Sequence, residues 1–260
     1  MVGWLILFGL TNYEPSRLFL TPTSDILPSR YLSISGGSAT YRFGDKFLIG
    51  SINFGLGDIG EIELSISGFF TNLMGGILNV PATALKIRLH RYLTIMLKSS
   101  PFGEQTKSYY LQAGEAGAWA GAGMYSYFMK YGSISLLGNY KLEDYRLYLN
   151  LFVGDYRMRS VYETGEEREN HPLFIGGSLG LSSQLKEDVK LIVEYGRLPK
   201  LLYYPEIKLE PFDIILVGIR FWFSSNISID IAGTYSSDAR GLADLIIHSN
   251  IAVVFPLAGD

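Results

Sequence analysis

From about residue 30 to residue 256 the chain alternates apolar residues with polar or small ones, at a period of two. Only an extended strand puts every second side chain on one face, so this pattern constrains the fold more than any other feature. Leu48, Gly50, Ile52, Phe54 and Leu56 share a face. Ile62, Leu64, Ile66, Gly68 and Phe70 oppose Glu61, Glu63, Ser65 and Ser67. Leu85, Ile87 and Leu89 oppose Ala84, Lys86, Arg88 and His90, and Leu93, Ile95 and Leu97 oppose Tyr92, Thr94, Met96 and Lys98. The same holds for Tyr145 to Gly154, Val189 to Gly196, Ile214 to Phe223, Ile227 to Tyr235, and Ile247 to Phe255. No segment approaches the ~20 continuous apolar residues of a membrane-spanning helix. A spanning strand needs only about 9–11 residues, half of which can be polar.

The connections alternate in length. Tight ones fall near GDIG (57–60), KLED (141–144), SQLKED (183–188) and SSN (224–226). Longer polar or proline-bearing ones fall near TNLMGGILNVP (71–81), SPFGEQTKS (100–108), YETGEERENHP (162–172), RLPKLLYYPEIKLEP (197–211) and SSDARGLAD (236–244). Short on one side and long on the other is the rhythm of an up-and-down barrel. AGEAGAWAGAG (113–123) lacks a clear period and reads as a strand facing a crowded lumen, a kinked strand or an inward-folded loop. The expectation is an all-β, antiparallel, up-and-down transmembrane β-barrel of about 12 strands, with 10–14 compatible, over residues 30–256.

Two arguments set the aliphatic face outward. A soluble sheet exposes a face rich in Lys, Glu and Thr, and here only 18% of residues are charged against 48% apolar. The second face instead mixes Gly, Ser, Asn, Tyr and Phe with isolated charges of both signs. The other argument is size. About eight strands leave an interior that side chains just fill, so a larger closed barrel cannot fill its lumen with Ile, Leu and Val. A wholly aliphatic outer wall is stable only in lipid. Phe69, Phe70, Tyr92, Tyr140, Tyr145, Tyr156, Tyr195, Trp222, Phe223, Tyr235 and Phe255 sit near strand ends, as interfacial girdles would.

The inward charges are the candidate functional residues: Glu61, Glu63, Lys86, Arg88, Arg146, Lys190, Glu194, Arg220 and Asp230. The bases are expected to face the acids across the lumen, with Arg220 as the neighbour of Asp230. In an open lumen they would tune selectivity; in a closed one they would be salt-bridged plugs. Residues 1–29 form a separate N-terminal segment. Its MVGWLILFGL start reads either as an export-signal remnant or as an apolar segment tucked against the fold.

Other motifs carry less. GLGDIG (55–60) matches G-x-G-x-x-G, but EIELSISGFF follows as a strand where a dinucleotide site needs a helix, so it reads as a hairpin turn. GGSLG (176–180) places Ser178 mid-strand, where a nucleophile elbow does not belong. His90, His171 and His248 show no ligand spacing, and there is no cysteine, so no metal site, cofactor or enzymatic activity is expected. The acidic ETGEEREN (163–170) reads as a solvated loop, with a cation site at the barrel mouth as its alternative. The net charge of -3 without a basic run predicts no nucleic-acid partner.

In its ~10-residue amphipathic strands, its short turns against long loops and its last strand IHSNIAVVF, the chain resembles a bacterial outer-membrane β-barrel of the porin-like kind. Such barrels usually finish on the aromatic, and here PLAGD follows Phe255. The resemblance implies the outer membrane as location, lipid and the barrel-assembly machinery as partners, and small solutes or ions as cargo. It implies a passive pore, a channel or a structural envelope protein. The alternative is a soluble secreted or periplasmic β-sandwich or barrel that binds a ligand, with the aliphatic face as its core.

Overall fold

The structure is a computed structural model and describes residues 17–41, 45–71, 77–100, 104–113, 118–162, 165–203, 206–239 and 245–257. Residues 1–16 of the N-terminal segment and residues 114–117 of AGEAGAWAGAG lie outside the described residues, as do parts of the long connections. The strands are β1 (Tyr31–Tyr41), β2 (Asp45–Gly55), β3 (Gly60–Thr71), β4 (Ile77–His90), β5 (Leu93–Ser100), β6 (Glu104–Ala113), β7 (Ala118–Leu142), β8 (Tyr145–Val161), β9 (Glu167–Asn170), β10 (Leu173–Lys186), β11 (Val189–Leu202), β12 (Lys208–Ser224), β13 (Ile227–Ser236) and β14 (Ile246–Pro256).

Twelve of these strands close an antiparallel barrel. Each pairs with its neighbour in the ring, β7 joins β5 to β8, and β1 meets β14 from Tyr31↔Pro256 to Thr40↔Ile247. β6 and β9 stand outside the ring, pairing with the first part of the 25-residue β7 and the last residues of β8. Closure leaves no open edge, which a hydrocarbon environment demands because no water is there to satisfy backbone groups.

The tight turns at 56–59, 91–92, 143–144, 187–188 and 225–226 share one rim, and the barrel's first and last residues lie there too. Gly57 takes a left-handed conformation (φ 86°) in the first of them, as glycine does freely. GLGDIG is therefore a hairpin connection feeding β3. Register shifts after Arg88, Gln184 and Trp222 fall beside three of these turns, where a bulge adds local twist.

The outer wall is aliphatic. Ile134, Leu151, Val153, Ile175, Leu179, Ile215, Val217, Ile231 and Ile251 are all exposed, with Ile175 at 77%. The soluble alternative needed Leu149, Val217 and Ile229 in a core, yet Leu149 and Val217 are 39% and 50% exposed and Ile229 is only half-buried. Tyr92, Tyr140, Tyr145, Phe221 and Phe223 line the tight-turn rim outside, and Tyr235 lies near the loop rim. Phe69, Tyr156 and Trp222 differ from the girdle expectation. They are 9%, 2% and 6% exposed and belong to the interior. Their proximity to strand ends was compatible with either face; the pleat sends them inward.

Candidate functional site: a lumen closed at both ends

A ring of twelve strands encloses more space than its own side chains fill. In this barrel the chain's own residues 17–27, just ahead of β1, occupy the tight-turn half of that space. Leu18, Thr21, Thr23, Ser24 and Leu27 are buried. The segment turns back on itself, with Leu18 N donating to Thr21 O (2.9 Å) and Arg17 bridged to Pro22. Three inward glycines make room for it. A Cβ on Gly55 would lie 2.6 Å from Leu27 O, one on Gly180 would lie 2.5 Å from Leu18 Cδ1, and one on Gly218 would lie 2.5 Å from Phe19 Cζ.

The inward charges hold this plug. Glu194, 1% exposed, accepts hydrogen bonds from successive backbone N–H groups: Phe19 (2.7 Å) and Leu20 (3.3 Å) on Oε1, Leu20 (3.1 Å) and Thr21 (2.6 Å) on Oε2. Such charge-assisted bonds are roughly twice as strong as neutral ones. Glu61 accepts Leu27 N (3.0 Å) and lies 3.6 Å from Lys86 Nζ, with both side chains fully buried. Thr94 Oγ1 donates to Ser24 O (2.9 Å). Asp25 of the plug accepts from Asn139 (3.1 Å) and Arg146 (3.2 Å).

Arg220 and Asp230 are cross-strand partners and form a two-bond pair, Nε to Oδ1 at 2.7 Å and Nη2 to Oδ2 at 3.0 Å. The same Nη2 reaches the Arg17 and Leu18 carbonyls at 3.2 and 3.3 Å, so the pair is also a plug anchor. Glu63 faces Ala84 on β4, which faces Lys98 on β5. Glu63 Oε1 accepts from Arg17 Nη2 (2.9 Å) and lies 3.5 Å from Lys98 Nζ. Lys190 lies over the Trp222 ring at 5.2 Å, and Arg88 is half-buried at the tight-turn rim.

The nine sequence candidates therefore do not form one base-to-acid set across the lumen. Lys86 pairs with Glu61 and Arg220 with Asp230, whereas Glu63 pairs with Arg17, Arg146 with Asp25, and Glu194 with backbone. Sequence reasoning missed Arg17, Asp25 and Lys98. A signal existed for Asp25 and Lys98. LTPTSDILP (20–28) carries two prolines and no alternation directly before a strand, which excludes ladder pairing. Lys98 alternates with Leu97 and so shares the inward face with Met96.

The loop-side half of the lumen is closed by rings. Phe69, Tyr131 and Tyr156 pack together, with centroids 5.0 to 6.1 Å apart, within a cluster that includes Leu78, Val80, Met129, Met158 and Tyr203. β3 and β11, on opposite walls, meet in a short parallel pairing, Lys200↔Phe70 and Leu201↔Thr71, and the Phe70 ring lies tilted against Phe212 with centroids 4.5 Å apart. Between the rings and the plug lies a cavity of about 200 Å³.

The remaining motifs are absorbed by the wall. Ser178 Oγ accepts from Asn150 Nδ2 at 3.3 Å. His90 packs on Tyr92, His171 lies 3.0 Å from Glu169, and His248 is buried in the lumen wall. No cluster of three metal-ligating side chains occurs among the described residues. Glu163 of ETGEEREN lies outside the described residues, and its other acids pair with arginines: Glu169 with Arg157, Glu167 with Arg159 (2.6 Å), and Glu166 with Arg168 (2.9 Å). The Arg157 guanidinium, by its hydrogen bond, holds the Glu169 carboxyl below its ordinary value.

The closed ring and its aliphatic outer wall define a membrane-spanning β-barrel. Solved structures agree on the fold. The chain is similar to the translocator domain of the autotransporter NalP from Neisseria meningitidis, at 12% identity and a TM-score of 0.50 over 86% of both chains. It also matches the β domain of the Bordetella autotransporter BrkA (11% identity, TM-score 0.49, 86% of this chain and 97% of that one). A further match is the KdgM porin (8%, 0.45, 87% and 99%). No protein-family model and no curated protein matches the chain.

Proposed function

We propose that the protein is an outer-membrane channel for small solutes or ions, without enzymatic activity, whose lumen is closed in this conformation by residues 17–27. The observation that carries this reading is the attachment of the plug. Glu194 grips three consecutive backbone N–H groups, and ion pairs and hydrogen bonds add further anchors beside the packing of Leu18 and Phe19 on Tyr148 and Ile192. Water can replace the polar bonds at a net cost of only about 0.5–1.5 kcal/mol each, or about 1.5–3 where one partner is charged. Once the plug leaves, Glu61, Glu63, Lys86, Arg88, Arg146, Lys190, Glu194, Arg220 and Asp230 line the path and set its selectivity. Lipid covers the outer wall, and insertion by the barrel-assembly machinery belongs to the same proposal.

The test is conductance across a planar bilayer. The full chain is expected to open rarely, and a chain beginning at residue 29 that also carries Phe69→Ala, so that both closures are loosened, to conduct at least tenfold more on average. If the shortened barrel folds and stays silent, the channel reading fails and a structural envelope role replaces it. A second reading, passage of a polypeptide, is favoured by the lumenal course of residues 17–27 ahead of β1, and the similarity to a translocator domain accords with it. An epitope placed before residue 17 would then be labelled on intact cells; an epitope reached only after the outer membrane is breached sinks that reading.

A further inference from the structure

The cavity between plug and mouth carries an imbalance of charge. Glu63 is one carboxylate serving two cations, Arg17 and Lys98, and both meet the same oxygen, Oε1. Glu61, on the same strand as Glu63, is matched by its own Lys86. The arrangement leaves one positive charge in excess at the floor of the cavity, among the described residues. Part of the Arg17 side chain, 32% exposed, and a smaller part of Lys98, 11%, remain accessible inside the lumen.

The walls are of another kind. Phe19, Phe69, Phe70, Phe152, Tyr131 and Tyr156 line the cavity, and the Tyr131 hydroxyl is already spent on Ser67 Oγ at 3.1 Å. Ser67, Ser133, Ser135, Asn150, Thr234 and His248 also line it, so the walls offer polar groups beside the rings. A cation would be repelled by the floor, and a bare inorganic anion would gain nothing from the rings. An engineered apolar cavity of ~150 Å³ is known to hold a benzene-sized molecule. About 200 Å³ therefore suits one ring with one carboxylate on it.

We propose that this cavity binds a small amphipathic monocarboxylate, its ring or short apolar body against the aromatic walls and its carboxylate between Lys98 and Arg17. The proposal rests on the channel reading, whose solute class it names. Binding replaces the shared grip on Glu63 by one carboxylate per cation, so the ligand competes directly with one of the plug's anchors.

The test is calorimetric titration of the full chain, refolded in detergent, with phenylacetate, phenylacetamide and acetate. One phenylacetate per barrel is expected, with phenylacetamide and acetate each at least tenfold weaker. Lys98→Met should weaken phenylacetate at least tenfold, and Lys98→Arg should stay within about threefold. Heat-modifiable migration on gels verifies that each variant is folded. Equal binding of phenylacetate and phenylacetamide overturns the proposal, as does a folded Lys98→Met barrel with unchanged affinity, or no binding by the folded full chain. The assay involves no current, so the two readings fail separately. Plug-dependent conductance without binding sinks only the ligand, and binding without any conductance sinks only the channel.

Discussion

The two ends of the lumen are closed by opposite chemistries. At the tight-turn end, a segment of the chain is held by carboxylates, guanidinium groups and single hydrogen bonds, with Glu194 and the Arg220–Asp230 pair as its strongest anchors. At the loop end, the wall itself folds inward and closes with rings and aliphatic side chains around Phe69, Tyr131 and Tyr156. Polar anchors have partners in water and release at low net cost. Apolar packing has none, and its loss leaves a cavity. The first closure is built to be exchanged and the second to be kept. Glycine placement follows the same division: Gly55, Gly180 and Gly218 yield space to the plug, while Gly176 sits under the Phe152 and Phe174 rings.

The largest effect should come from the buried wall pair that also binds two plug carbonyls. Asp230→Ala leaves Arg220 buried at 0% exposure without its carboxylate, a loss of about 3–5 kcal/mol. Urea unfolding in detergent measures it. Adding Arg220→Met should restore much of the loss, because the stranded charge is then gone; a double variant as unstable as the single one breaks this account.

At the mouth, Phe69→Ala should cost about 3 kcal/mol of barrel stability through the hole left among Tyr131, Tyr156 and Leu78. With the plug still seated, its conductance should match that of the full chain. A conducting Phe69→Ala barrel would move the principal gate to the mouth and reverse the comparison.

Glu194→Ala should give the mirror image. It loosens residues 17–21 by removing the acceptor of three backbone N–H groups. Barrel stability should shift by no more than about 1 kcal/mol, since water can take over the freed groups. Labelling of a cysteine at Leu20 should accelerate at least tenfold. Labelling at the unaltered rate removes the plug from the account of gating.

The smallest effect belongs outside the ring, where Arg157–Glu169 and Arg159–Glu167 link β8 to β9 in solvent. Exposed pairs of this kind contribute little. Because the Glu169 carboxyl is held below its ordinary value, its contribution is present above the unfolded value and is lost as the pH falls through the folded one. Amide exchange in β9 should therefore be flat from pH 7 to about 5, after correction for intrinsic rates, and quicken only in stronger acid. A change already between pH 7 and 6 assigns the ladder to another group, with His171 beside Glu169 the first to test by His171→Gln.

Much of the barrel is legible along the chain because a strand's faces are a local property. The alternation around Glu61 and Glu63, or around Arg220 and Asp230, separates the two faces without reference to any other strand. Turn chemistry is equally local, as in GDIG and SSN. Closure into a ring also follows, since a strand set with one aliphatic face and no filler for its interior has lipid as its stable environment. What alternation could not give is the partner of each inward charge. That depends on register and on objects that do not alternate, and residues 17–27 are such an object.

The sequence by itself determined which residues face in, which face out and where the chain turns. Only the tertiary structure decided that the interior is occupied, that Glu194 grips backbone rather than a lysine, and that Phe69 and Tyr156 close a mouth rather than girdle a membrane. The physical reason is reach. Faces are set by neighbours one and two residues away, while the filling of a lumen is set by whichever segment, however distant in sequence, can satisfy its buried charges, and here Glu194 is met by Phe19, Leu20 and Thr21.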